Sequence, residues 1–340
     1  MNFGTWFLAS FVVLYEKISP GWLDHLSDRR EALTKCGRGH TLWGIMTSIL
    51  VVGMATVDFV FDVEAMPVRA EKYVARDAQI VGGGGAANAA CAIAKLGGNA
   101  LLAARVGGDM IGKIIVEELK QNSVDCSLLV AAESARSSFS SVLLDTHGER
   151  QIVNYRGCDL PEDTSAICAA DPSAVLADTR WTGGTIAAMK LARDKNIPGV
   201  LDAEAPCNPE AMALASHIAF SRQGLESLAG SLHSVSDIEA ALRKVAKTYP
   251  VWLAMTDGKN GVYLLSSGEF LHQPAANVEV LDTLGAGDVW HGAFTYWLGC
   301  GNSEKDSVRF ANAAAALKCS RPGGGRSCPE FAEVMAFLEL

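Results

Sequence analysis

Short apolar runs recur along most of the chain at 49–53, 100–106, 174–178, 199–203, 217–221 and 251–256. Stretches with helical spacing lie between them, near 88–97, 111–121, 184–195 and 236–247, and two more close the chain at 288–298 and 304–318. An apolar run without alternation suits a strand buried on both faces. Strands that alternate with helices build a mostly parallel central sheet flanked by helices. The predicted fold class is therefore α/β.

Four stretches break this rule. Residues 59–63, 71–80, 138–146 and 150–156 mix apolar and polar positions with period-2 features. The last two flank His147-Gly148-Glu149, which suits a hairpin turn. These stretches predict a small β-sheet beside the main one, exposed on one face, from segments about 58–82 and 138–157.

Residues 1–45 follow neither pattern. The apolar run at 3–15 is shorter than the roughly 20 residues that span a bilayer. It also lacks the cationic start of a signal peptide. We expect residues 46–340 to be the folded domain; 1–45 is either a membrane-proximal or regulatory extension or, the favoured reading, upstream sequence translated ahead of a natural start at Met46.

Composition narrows the function. In 340 residues, 29 Lys and Arg stand against 38 Asp and Glu, a net charge of −9. That acidic balance argues against a nucleic-acid partner, which would need a basic excess. With no span or signal, no membrane partner is expected either, and the expected location is the cytoplasm. The nine Cys form no C-x-x-C pair. They are expected to be reduced and mostly buried.

Three glycine-rich stretches could hold a phosphate. Gly107 to Ile114 fits G-x-x-x-x-G-K, but Ile114 stands where a P-loop needs a Ser or Thr hydroxyl. Gly82-Gly83-Gly84-Gly85 allows backbone to approach a ligand closely, and Asn88 follows near a helix start as a cap or a partner for a hydroxyl-rich ligand. The third, Asp282-Thr283-Leu284-Gly285-Ala286-Gly287-Asp288, opens a helix with small residues. Free N–H groups at a helix start can hold phosphate oxygens. Asp288 there is either a helix cap or a base beside an anion hole, the pair that phosphoryl transfer to an alcohol needs.

DTLGAGD and the segment GGGGAANAACAIAKLGGNALLAARVGGDMIG, about 200 residues earlier, resemble the two signatures of the ribokinase-like carbohydrate kinases, the phosphofructokinase-B family. The resemblance covers about residues 48–335. It implies a ribokinase-like fold in which the small sheet is a lid over the sugar, and an enzyme that uses ATP and Mg²⁺. By the same resemblance Asp288 is the catalytic base, and Gly285, Ala286 and Gly287 form the anion hole. Asp58, Gly83, Gly84 and Asn88 bind the sugar, and Thr256 and Gly258 lie on the nucleotide side. No side-chain metal ligands are assigned: an Asn-x-x-Glu frequent in the family is replaced by Ser221-Arg222-Gln223-Gly224. Lid sheets of this kind often pair between subunits, so a homodimer through the lid is expected.

Segments around Lys72, Asn154, Arg180 and Leu317–Gly324 resemble the sulfofructose kinase branch of the family, whose substrate is 6-deoxy-6-sulfofructose. That likeness assigns Lys72, Asn154 and Arg180 to the sulfonate. A permanent monoanion suits a guanidinium, an ammonium and an amide donor. The alternatives are a neutral sugar or nucleoside as substrate, or a sugar-binding regulator without turnover. His291, one turn after Asp288, is expected to be a packed, hydrogen-bonded residue, and Trp290, Phe294 and Trp297 are expected in the core.

Overall fold

The computed structural model describes residues 47–339 apart from Gly148. The expectation for residues 1–45 lies outside the described residues. The unit Met46–Leu340 holds every element below.

The larger sheet has nine strands. β1 (Ser48–Gly53) lies between β4 (Asn99–Gly107) and β8 (Ala174–Ala177), parallel to both. Beyond β8 follow β9 (Gly199–Ala203), β10 (His217–Ser221) and β11 (Trp252–Thr256), also parallel. The short β5 (Val130–Ala132) pairs with the end of β4 and closes one edge. At the other edge, β12 (Val262–Ser266) and β13 (Glu269–Gln273) run antiparallel. The central strands are buried along their length: Ile49, Leu50, Val51 and Val52 have no exposed surface. Their side chains alternate between two apolar layers, Ile49 and Val51 in one and Leu50 and Val52 in the other.

Helices cover both faces. α1 (Gly85–Lys95) packs in the layer with Ile49, and α2 (Met110–Gln121) follows β4. α3 (Ser165–Ala169), α4 (Thr182–Lys195), α5 (Pro209–Leu214), α6 (Arg222–Ala229) and α7 (Val235–Ala246) connect the middle strands. α8 (Ala286–Gly299) and α9 (Glu304–Cys319) pack against each other on the α1 side, and α10 (Phe331–Glu339) ends the described chain. Trp290 stacks on Phe294, and Trp297 stacks on Phe310. That is the core position expected for these aromatics.

The smaller sheet has the order β3-β2-β6-β7: β3 (Asp77–Gly83), β2 (Thr56–Asp62), β6 (Phe139–Leu144) and β7 (Arg150–Tyr155). β2 and β6 are parallel, and the outer pairs are antiparallel. At the β6–β7 turn the Asp145 carboxylate accepts from the N–H groups of His147 and Glu149, which fixes the expected hairpin.

Three expectations change. The strand placed at 71–80 begins only at Asp77, and Lys72 stands in an irregular connection. A single polar-rich segment carries no pairing by itself, and β3 pairs only where β2 faces it. Second, β12 and β13 were not anticipated, although Ser267-Gly268 is a hairpin turn signal between them. Third, among the described cysteines only Cys91 and Cys328 are buried. Cys158 and Cys168 are exposed, and no described Cys is in a disulfide. Their positions on the irregular segment after β7 and on the short α3 leave little to cover them.

Candidate active site

Two helix starts converge on one carboxylate. α8 begins at Gly285, whose φ of 76° is left-handed, and a Cβ there would sit 2.5 Å from the Gly325 Cα. Only Gly fits both demands. Asp288, in the first turn, does not cap its own helix. Its Oδ2 accepts from the Asn88 Nδ2 at 2.6 Å, and Asn88 lies in the first turn of α1. The capping alternative for Asp288 therefore fails. Burial pushes the Asp288 carboxyl up to about 6. The Asn88 hydrogen bond opposes that shift, Glu204 and Asp178 add to it, and Arg326 also opposes it. A carboxyl at that level is an effective base near neutral pH.

The other acidic groups come from the ends of the parallel strands. Asp178, just past β8, accepts from the backbone N–H groups of Met54 at 2.8 Å, Ala86 at 3.2 Å and Arg180 at 2.8 Å. It ties the exit of β1 to the start of α1. Asp202, inside β9, is buried, and the desolvation together with Glu204, Asp288 and Asp178 pushes its carboxyl well above the usual range. His291 is buried, with Nδ1 donating to the Gly287 carbonyl at 2.8 Å. Its pKa is lowered to about 4 by burial, so the ring is neutral. This is the packed role expected for it.

Of the three residues expected to form an anion hole, one has its N–H already engaged. The Ala286 N–H already donates to the Thr283 carbonyl at 3.2 Å. Gly287 remains open: a Cβ added there would meet nothing within 4 Å. Asp282 holds the loop from the other side. Its carboxylate accepts from the N–H groups of Leu284 and Gly324, each at 2.8 Å. Lys318, with no exposed surface, donates to the Asp282 carbonyl at 2.8 Å.

A cavity of about 740 Å³ runs from Thr256 and Gly258, at the end of β11, to Ala286 and Gly287 at the start of α8. Gly261, Ala275, Ala315 and Ala316 contribute small walls. Space for a flat base that opens onto a helix N-terminus fits a nucleoside triphosphate, its terminal phosphate toward the helix dipole. Trp290 also borders this cavity, with its indole N–H fixed on the Asn312 Oδ1 at 2.8 Å. It is thus both a core residue and a cavity wall. Among the described residues no group of three His, Cys, Asp or Glu is arranged to hold a metal ion. Mg²⁺ keeps several waters and is carried largely by nucleotide phosphates, so this donor set is compatible with a metal that arrives with ATP. At the position of the missing Glu stands Gly224, whose N–H donates to the Ser221 Oγ that caps α6, and Arg222 between them makes a two-point pair with Asp257 at 3.0 and 2.8 Å.

The expected sugar residues fall into two groups. Asp58, Ser140 and Asn154 occupy one rung across β2, β6 and β7, and the Asn154 Nδ2 donates to the Ser140 Oγ at 3.0 Å. Burial raises the Asp58 carboxyl, offset by Ser140 and Arg326. A Cβ at Gly83 would stand 2.6 Å from the Asp58 Oδ2, and Gly84 has a φ of 90°. Asp58, Gly83, Gly84 and Asn88 thus adjoin along β2, β3 and α1. Arg180 stands past the end of β8, its N–H on the Asp178 carboxylate and its guanidinium paired with Glu204 and near the Ala205 carbonyl. Lys72 is exposed and has no ion-pair partner among the described residues. Sequence reasoning missed Asp178, Asp202, Glu204 and Arg326. The first three had one available signal, an acidic residue at or just past the end of a predicted buried strand.

The Gly107–Ile114 stretch has its helix start already occupied by a side chain of its own. Asp109 fills that helix start itself, accepting from the Gly112 N–H at 2.8 Å and from Ser137.

A buried carboxylate at a helix start beside a nucleotide-sized cavity fits an ATP-dependent phosphotransferase. A sequence profile of the pfkB family carbohydrate kinases matches residues 46–330, and the chain belongs to that family. It is 28% identical to a ribokinase of Bacillus subtilis over 86% of this chain and 100% of that one. It is 32% identical to a fructokinase of Klebsiella pneumoniae over 71% of this chain and 81% of that one. The ribokinase of Arabidopsis thaliana, solved with ribose and ATP, superposes with a TM-score of 0.80 at 26% identity, covering 87% of this chain and all of that one. The fold is ribokinase-like, and the enzyme is an ATP-dependent sugar kinase that works with Mg²⁺.

Proposed function

We propose that the protein is a cytoplasmic kinase that transfers the γ-phosphate of ATP to a primary hydroxyl of a ketose, with Asp288 as base. The carrying observation is the position of Asp288: buried, held by Asn88, and on the helix start where the cavity ends. Asp288 takes the hydroxyl proton. The sugar oxygen bonds to the γ-phosphorus in line, the bond from that phosphorus to the β–γ bridging oxygen breaks, and ADP leaves with that electron pair. The open Gly287 and the start of α8 receive the phosphoryl oxygens. Asp58, Gly83, Gly84 and Asn88 hold sugar hydroxyls, and Thr256 and Gly258 border the nucleotide.

For the sugar we propose 6-deoxy-6-sulfofructose, phosphorylated at O1. Asn154 shares a rung with Asp58, so an anionic end could lie beside the hydroxyl-binding groups. A neutral sugar such as fructose or ribose is favoured by a different observation: Glu204 already satisfies the Arg180 guanidinium. A panel of sulfonated and neutral sugars that includes fructose and ribose, assayed by ADP release, separates the two. On the sulfonate reading, Arg180→Ala lowers kcat/KM for 6-deoxy-6-sulfofructose by tens to thousands of fold, since breaking a desolvated charge pair costs about 2–5 kcal/mol. Fructose turnover changes far less. Wild-type preference for fructose or ribose would leave the neutral reading standing.

The outer face of the small sheet supports a homodimer. Ile80, Phe59, Ser141 and Val153 form one rung there, with Ile80 58% and Val153 69% exposed. A second copy of the chain would cover this apolar strip. Val153→Lys should yield monomer by light scattering.

A further inference from the structure

Arg326 has no part in the roles above, yet its guanidinium lies deep in the site. Its side chain is 12% exposed, on the glycine-rich turn after α9. Nε and Nη2 donate to the two Glu118 oxygens at 2.7 and 2.8 Å, and Nη1 donates to the Asn88 Oδ1 at 3.0 Å. Lys95, from the end of α1, donates to the Arg326 carbonyl at 2.8 Å and holds the turn in place.

The chemistry fixes the sense of this chain. A guanidinium only donates, and an ionised carboxylate only accepts. Asn88 lies between them, so its oxygen must face Arg326 and its NH₂ must face Asp288. With Arg326 removed, Asp288 alone orients the amide, which loses its second anchor and can swing away from the carboxylate or turn its oxygen toward it whenever Asp288 carries a proton. Two glycines make room for the arrangement. A Cβ at Gly82 would stand 2.4 Å from the Arg326 Nη2, and one at Gly325 would stand 2.4 Å from the Asn88 Cγ.

We propose that Arg326, fixed by Glu118, is a positioning residue that locks the Asn88 amide so that it donates to Asp288. The inference rests on the reading of Asp288 as base. The groups facing Asp288 are Asn88 on α1, Asp178 past β8, Asp202 and Glu204 on and past β9, and Arg326, whose charge also acts on Asp288 directly. The test must therefore separate the amide lock from that direct charge.

The experiment uses the full chain, with ADP release measured from pH 5 to 9 on whichever sugar of the panel is turned over. The second readout, ¹³C-carboxyl titration of Asp288 by NMR, needs no substrate. Arg326→Gln is expected to lower kcat by ~10²-fold, the scale of a misplaced reacting group. The KM for ATP stays unchanged, and the acidic limb moves to higher pH. Arg326→Lys restores part of kcat. Glu118→Gln, which keeps Arg326 but loosens it, gives a smaller loss of the same kind and serves if Arg326→Gln does not fold. In an Asn88→Leu background, Arg326→Gln should leave the limb nearly in place. A full shift in that background would show a charge effect alone and overturn the lock. So would wild-type kcat and titration in folded Arg326→Gln. Full turnover in Asp288→Asn would instead overturn the base assignment, which keeps the two failures distinct.

Discussion

Asn88 and Asp288 are 200 positions apart in the chain and 2.6 Å apart at their hydrogen bond. Each lies in the first turn of its helix, so two helix starts face one carboxylate. Helix starts favour negative charge. Burial and the neighbouring acids oppose it, and the balance sets when Asp288 can accept a proton.

Replacing that carboxylate tests the chemistry directly. Asp288→Asn should fold and bind ATP, yet lose roughly 10²–10⁴-fold in kcat, the usual scale for removal of a general base. Calorimetric ATP binding beside the turnover assay checks both halves. Near-wild-type kcat would rule out the assignment.

The pH profile follows from the same group. A base must be ionised to work, and Asp288 is pushed up to about 6. Log kcat/KM should climb with unit slope below that pH and flatten above it. Glu204 contributes to the upward push. Glu204→Gln should therefore shift the limb to lower pH, and a limb that stays in place would argue against this coupling.

Two glycines in one motif should respond in opposite ways. Gly285→Ala meets a left-handed φ and the Gly325 backbone, so it should lower the thermal midpoint, with strain of about 1–3 kcal/mol. Gly287→Ala meets no protein atom within 4 Å. It should keep its thermal midpoint and lose activity, because the new methyl stands where phosphoryl oxygens approach. A Gly287→Ala protein with full kcat would remove Gly287 from the anion hole.

Asp178 should behave as a structural anchor. Asp178→Ala strands the N–H groups of Met54, Ala86 and Arg180, each at a cost of about 1–3 kcal/mol when buried and unpaired. Urea unfolding should show a midpoint drop of several kcal/mol equivalent at unchanged slope. Asp178→Asn, which keeps one acceptor oxygen, should lose less.

The sequence was most informative where one physical signal dominates. The buried strand 49–53 is apolar throughout and 199–203 is so but for Asp202, and the structure places both within a residue or so of the expected bounds. DTLGAGD exposes its helix start through small residues alone. The edge strand β13 was hidden because exposed positions such as Glu269 and Leu271 blur the pattern, whereas β12 beside it is a buried apolar run of the same kind as the central strands. Arg326 was hidden for another reason. Its role exists only through Glu118, 208 positions away, and Asn88, 238 positions away, and no local spacing encodes contacts of that range. The Arg180–Glu204 pair is the same kind of omission: a charge read alone looks available for a ligand until its partner is seen.

The small sheet is carried by β2, which starts only three residues after β1 ends, and Met54 in that gap is pinned by Asp178. A strand advances about 3.3 Å per residue, so Asp58 stands roughly 13 Å along from Met54 and Asp62 roughly 26 Å. Any tilt of the sheet about Met54 therefore carries Asp62 about twice as far as Asp58. The arrangement is a lever whose short arm bears Asp58, the carboxylate proposed to hold a sugar hydroxyl, and whose long arm bears the far end of β2, where any displacement at Asp58 is about doubled.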